Sequence, residues 1–398
     1  MAPGPQDAVS GPQPDRNPGI DLLRGLSILL VVIHHTAIRL PLGKSALADW
    51  LPERILDGLQ YNGFEAVFLF FVISGFLITS NSLARWGALA AVDATAFYRR
   101  RAARILPCLA LLVAVLSALA LAGASHYAMA PPRQSLAGAV ASAFGLFLNV
   151  YQARTGWLPA GWGVLWSLSI EEVFYLAFPL VCLLLGRTRL LVPALAVLAL
   201  SIPVVRANIH HDQIWAEENY LQGMAAIATG VLAALLVARH PSARPSTVRW
   251  TLALGIVGLL AVLFGGVELW KTLRYAYMLV LTLSAAALVI AARWRAGRAA
   301  TPPWRAFGWL RSAGRLSYEI YLTHMFVVWL VVDRFTAAGA DARTSAAWTL
   351  PVLAGCWALG WAVARWFSTP VERCVLRAGA SRVYARADAA AVPSEVSA

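Results

Sequence analysis

The chain has 398 residues, 59% of them hydrophobic and 13% charged, with a formal net charge of +13. Mean hydropathy is +0.65, and apolar runs of about 20 residues, the length a helix needs to cross a bilayer, recur along the sequence. This excludes a pair of soluble domains, and it excludes nucleic-acid binding as the meaning of the positive charge. Arginine supplies nearly all of that charge, Lys44 and Lys271 being the only lysines, and it clusters between apolar runs as cytoplasmic loops do.

Residues 1–18, rich in Pro, Gly, Gln and Asp, read as a disordered tail without the marks of a signal peptide. Residues 378–398 read the same way, so 19–377 forms one transmembrane domain. Cys108, Cys182, Cys356 and Cys374 are far apart and without metal or redox spacing. Reduced thiols, no metal and no bound cofactor are therefore expected.

Apolar runs fall at 20–40, 64–82, 105–123, 164–186, 189–206, 219–238, 250–267, 274–292, 316–336 and 346–367, with a shorter one at 134–150. Arg85, Arg99, Arg100, Arg101 and Arg104 place 85–104 on the cytoplasmic side. If 134–150 crossed, Arg187, Arg189 and the cluster Arg293–Arg315 would fall outside; if it lies on the outer face or re-enters, they fall inside. The second solution predicts an all-α polytopic membrane protein of about ten transmembrane helices, with N- and C-termini cytoplasmic.

The first run carries Asp21, Arg24, His34 and His35, and ionisable groups at membrane depth are functional candidates by default. His35 follows Arg24 by eleven positions, about three helical turns and a rise of about 16 Å, so both project from one face. An end-anchor plus a histidine bonded to a neighbouring helix accounts for the same pattern. The second run holds Phe70-Phe-Val-Ile-Ser-Gly-Phe-Leu77, where Ser74-Gly75 suits close helix packing and puts a hydroxyl in an apolar wall.

After it comes Phe97-Tyr-Arg-Arg-Arg-Ala-Ala-Arg-Ile-Leu-Pro107. On a helix Arg100, Arg101 and Arg104 share a face, an anion site suited to phosphate or to lipid headgroups. The fourth run opens with Trp166-Ser-Leu-Ser-Ile-Glu-Glu-Val-Phe-Tyr175. Counting rises from the expected membrane boundaries puts Glu171 level with His35, where a carboxylate would orient the imidazole, and puts Ser74 level with His324. In the ninth run Ser317, Tyr321 and His324 form one stripe. Asp21, Ser74, Trp166, Ser167, Ser317, Tyr321 and His324 are thus the candidates for lining a polar column or channel. The predicted outer loop 207–218 (Asn208, His210, His211, Asp212, Trp215, Glu217, Glu218) offers sugar-like contacts or a solvated surface.

Taken together these motifs resemble the acyltransferase-3 family of bacterial membrane O-acyltransferases. The resemblance is carried by Arg24-x10-His35, Phe70–Leu77, Arg100–Pro107, Trp166–Tyr175 and Ser317–His324, in that order, and spans about Ile20 to Glu372. It implies a multi-pass protein of the inner (plasma) membrane that takes an acyl group, most simply acetyl, from cytoplasmic acyl-CoA. The implied acceptor is a hydroxyl of a cell-surface glycan or related molecule. His35 would be the catalytic histidine, oriented by Glu171, with Arg24, Arg100, Arg101 and Arg104 serving the donor. Val173, Phe68 and the pair Met325-Phe326 depart from the family pattern, at positions that bear on the acceptor or on packing. A transporter of a glycan or small molecule is the alternative, although neither repeat symmetry nor helices broken near the midplane stand out.

Overall fold

The computed structural model describes residues 16–209, 212–296 and 305–378, whose regular structure is all helical, with no strand. Most of the two expected tails, residues 1–15 and 379–398, lies outside the described residues, as do His210 and His211. Ten helices account for the ten apolar runs: α1 Pro18–Ala37, α2 Gly63–Trp86, α3 Ala94–Leu121, α4 Trp166–Leu185, α5 Leu191–Leu200, α6 Tyr220–Arg239, α7 Pro245–Phe264, α8 Tyr277–Ala296, α9 Ser317–Ala337 and α10 Ser345–Val363.

Among the described residues, nine segments are long and apolar enough to cross a membrane. The fifth run falls short. Its helix α5 stops at Leu200, and a second short helix, Ile202–Ala207, restarts beyond Ser201. Pro203 explains the break, because it lacks the N–H that a continuous helix would bond one turn back. The ambiguous run at 134–150 forms two short helices, Leu136–Phe144 and Leu148–Thr155, with Leu146 between them at φ 61. Nine residues rise only about 13 Å, so neither helix spans a bilayer, in line with the expectation that this run does not cross.

Helix α1 starts where its sequence says it should. The Asn17 side chain accepts from the N–H groups of Gly19 and Ile20, Pro18 occupies the first helical position, and Asp21 sits in the first turn near the positive end of the dipole. Asp21 is buried and paired to Arg16 at 3.0 Å, at the start of the helix rather than along a channel.

Between lipid-embedded helices small residues permit close approach. A Cβ on Gly75 would lie 2.0 Å from the Ile227 carbonyl oxygen, and one on Gly230 would lie 2.0 Å from that of Val72, so α2 and α6 cross backbone to backbone. A second crossing joins α1 to the short helix Gly308–Arg315, where a Cβ on Gly25 would lie 2.1 Å from the Leu310 carbonyl oxygen and one on Gly314 would lie 1.8 Å from that of Asp21. Around these contacts Phe68, Phe71, Phe76, Leu116 and Ile170 are buried almost completely.

The helices give the bundle two faces. Arg24, Arg99–Arg104 and the start of α9 lie towards one, the arginine face. The end of α1, the starts of α2 and α4 and the end of α9 lie towards the opposite one. Helices α1 and α9 run side by side in the same direction, and that arrangement builds the site.

Candidate functional site

Three contacts follow one another along the α1–α9 seam. Nearest the arginine face, Arg24 donates from Nε and from its terminal nitrogen to Ser317 Oγ, at 3.1 and 2.8 Å. Further along, the His35 and His324 rings meet with centroids 4.9 Å apart. Beyond the end of α1, the Arg39 guanidinium carbon lies 4.1 Å above the Trp329 ring.

The histidine pair has defined tautomers. His35 Nδ1 lies 2.9 Å from the Val31 carbonyl, and His324 Nδ1 lies 2.7 Å from the Tyr321 carbonyl. A carbonyl oxygen only accepts, so each Nδ1 carries the proton and each Nε2 presents a lone pair. The His324 ring is fully buried and its Nε2 has no hydrogen-bond partner. His35 as a residue is partly exposed, unlike His324. His34 points elsewhere, with Nδ1 donating to the Gln60 carbonyl at 2.7 Å. As expected of adjacent residues, only one of the two histidines shares the seam with Arg24.

Glu171 is not the group that orients His35. The Ser74 and Tyr175 hydroxyls both donate to its Oε1, and the proton of His35 is fixed by the Val31 carbonyl one turn back in its own helix. The expected levels are therefore exchanged: Ser74 meets Glu171, and His324 meets His35. An offset of one or two turns is enough for this, because equal rises on different helices give equal depths only if the helices are upright and start level.

The stripe on α9 holds as a stripe. Ser317 meets Arg24. Tyr321 donates to the Val164 carbonyl at 2.9 Å and lies 2.8 Å from Ser167 Oγ, and His324 meets His35. Ser167 and Tyr321 thus lock each other at the start of α4. Trp166 packs against Phe64 and Phe71, with centroids 6.1 and 6.0 Å apart.

The arginine trio is divided. Arg101 stacks on Tyr175 at 3.6 Å, which ties it to the Ser74–Glu171 cluster. Arg104 lies 3.8 Å from Glu372 and faces the Tyr318 ring at 5.7 Å. Arg100 lies within the repulsive field of Arg85 and Arg99, and its Nε is buried without a partner. The cationic face is broader than the expected single stripe, and one of its members already has a carboxylate beside it.

Several contributors were not singled out from the sequence. Tyr175 stands one turn beyond Glu171, a spacing that marks it in retrospect. The Val31 and Tyr321 carbonyls are backbone groups and carry no sequence signal. Of the predicted loop 207–218, Glu218 is buried and takes a 2.6 Å hydrogen bond from Gln152, and Asn149 donates to its carbonyl. This is a structural knot rather than a solvated sugar contact.

Comparison with known proteins identifies the family. The profile of the family described as "Acyltransferase domain" matches residues 17–366, most of the chain. The O-acetyltransferase OatA of Staphylococcus aureus, strain NCTC 8325 / PS 47, is 32% identical over 167 residues, 41% of this chain and 24% of the relative. The OatA of strain COL matches to the same extent. The match spans about a quarter of these relatives' length. No solved structure matches the chain significantly.

Proposed function

From the premise that the chain belongs to the acyltransferase-3 family and is a multi-pass membrane acyltransferase, we propose that it moves an acetyl group from acyl-CoA to a hydroxyl of a cell-surface glycan or related acceptor. The observation that carries this reading is the paired imidazoles, each with a bare Nε2, between an arginine-rich face and the opposite one. We place the arginine face in the cytoplasm and the protein in the inner membrane. The identity of the relatives as O-acetyltransferases favours acetyl as the group and oxygen as the acceptor atom.

In this reading Arg100, Arg101 and Arg104 take the nucleotide phosphates of CoA, for which planar guanidinium forks are suited. Arg24 stands at the entrance, and the about 16 Å rise from it to His35 accommodates the pantetheine arm. His35 Nε2 accepts the proton of the acceptor hydroxyl. The hydroxyl oxygen attacks the thioester carbonyl, the C–S bond breaks, and CoA leaves as the thiol, taking up the proton held on His35. Family membership removes the main support of the transporter alternative.

The decisive experiment is release of CoA thiol from acetyl-CoA by purified protein in the presence of an envelope glycan extract. Acceptor-dependent release that disappears in His35→Ala supports the reading; its persistence in a folded His35→Ala protein rejects it.

A further inference from the structure

The third contact on the α1–α9 seam is not used by that chemistry. Arg39 lies just past the C-terminus of α1, where the helix tightens: the Arg39 N–H bonds the Thr36 carbonyl, and the freed His35 carbonyl is taken at 2.6 Å by a terminal nitrogen of the Arg39 guanidinium. Part of Arg39 is therefore a helix cap. The remainder is unspent. Its Nε is buried without a hydrogen-bond partner, and so is Trp329 Nε1 in the ring it covers.

Among the described residues, no carboxylate forms an ion pair with Arg39. Asp333, one turn beyond Trp329, is engaged by His126 Nε2 at 2.7 Å, and the His126 ring stacks on Trp329 with centroids 3.8 Å apart. Burial pushes the Arg39 guanidinium below its ordinary pKa, with no neighbouring anion to offset it. Orphaned buried donors are costly in a folded protein and call for a ligand. Here two of them belong to one cation–ring contact, about 6 Å along the helix axis from His35, roughly the width of one sugar ring.

We propose that Arg39 and Trp329 form an anchoring subsite for a carboxylate carried by the acceptor, so that the acceptor class is an acidic sugar. Arg39 Nε–H and Trp329 Nε1–H donate to the carboxylate, the guanidinium supplies the counter-charge, and a hydroxyl one ring-width away is presented to His35. This rests on the acyl-transfer reading above and deepens it by naming the acceptor's chemistry.

The test uses the full chain, acetyl-CoA, and one envelope glycan extract divided in two, half of it with its carboxylates reduced to alcohols. Wild-type protein should show a KM about tenfold higher for the reduced half, the loss expected when a hydrogen-bonded charged partner is removed. Arg39→Gln, and Trp329→Phe, which keeps the ring but removes the N–H, should each raise KM for the native half about tenfold. Neither should change KM for the reduced half. Should Arg39→Gln fail to fold, the wild-type and Trp329→Phe comparisons still decide. Equal KM for the two halves in wild type, or equal losses on both halves in the variants, overturns the subsite and leaves acyl transfer standing. Absence of CoA release with the native half overturns the acyl-transfer reading itself.

Discussion

His35 and His324 face each other edge to ring at 4.9 Å, and each spends its Nδ1 proton on a backbone carbonyl of its own helix. Two basic nitrogens are thereby presented without any carboxylate to set their tautomers. His35 is the partly exposed one, and on the proposed reading it is the one that meets substrate. Replacing it with Ala should lower acetyl transfer by about 10²- to 10⁴-fold, the range for a general base. Thermal unfolding in detergent should stay close to wild type, because the only polar bond lost is local to one turn. A variant that retains transfer would remove His35 from the chemistry.

His324 makes a sharper test. Its Nε2 is a buried acceptor with no partner, a feature that costs a fold about 1–3 kcal/mol. His324→Phe deletes that acceptor together with the Nδ1–H bond to the Tyr321 carbonyl and keeps a flat ring, so stability should change little while acetyl transfer falls. Thermal midpoint and kcat measured on the same preparation separate these effects. A destabilised variant with normal kcat would mean that His324 serves packing alone.

Glu171→Gln should leave the pH profile of transfer unshifted, because Glu171 receives the Ser74 and Tyr175 hydroxyls rather than the His35 ring. Its effect should appear in stability, at about 1.5–3 kcal/mol for hydrogen bonds to a charged group. It should also appear in the KM for acetyl-CoA, through Tyr175 and the Arg101 stacked on it. A shift in the pH midpoint with unchanged stability would restore Glu171 as the orienting acid of His35.

Arg104 lies beside Glu372 at 3.8 Å, both partly exposed. A pair of this kind is worth about 0.2–1 kcal/mol, and that energy is surrendered when a phosphate takes the guanidinium. Glu372→Gln should therefore lower KM for acetyl-CoA by roughly 1.5- to 5-fold, and Arg104→Gln should raise it. Initial-rate measurements with varied acetyl-CoA distinguish this from a purely structural pair, for which both substitutions would leave KM unchanged.

Gly75→Val should prevent stable assembly, since even a Cβ would sit 2.0 Å from the Ile227 carbonyl oxygen. Overpacking costs about 1–3 kcal/mol where side chains can yield, and backbone yields less. The monodisperse fraction on size-exclusion chromatography is the measurement, with Ser74→Ala as the milder neighbour.

The sequence carried the helices well, because length and hydropathy alone distinguish a membrane span, and the arginine spacing excluded 134–150 as a crossing. It carried the broken fifth run poorly: Pro203 was visible, but its apolar surroundings masked the interruption. Within the site, Arg24, His35 and the α9 stripe were legible from helical periodicity, which is a property of one helix at a time. The partnerships were not. Whether Ser74 meets His324 or Glu171 depends on the axial offset between helices, which no single run encodes. The capping of His35 by Val31 depends on a rotamer, and the unpaired buried donors of Arg39 and Trp329 depend on what fails to reach them.

The two glycine crossings also bear on how bulky reactants enter. Where α2 touches α6 and α1 touches Gly308–Arg315 through bare backbone, the helices have no compressible layer between them and act as welded pairs. On the acyl-transfer reading, any breathing that admits a thioester or releases an ester would then run along seams lined by movable side chains. The seam between α1 and α9 is of that kind, so on the acyl-transfer reading the path for reactants and the paired rings share one line.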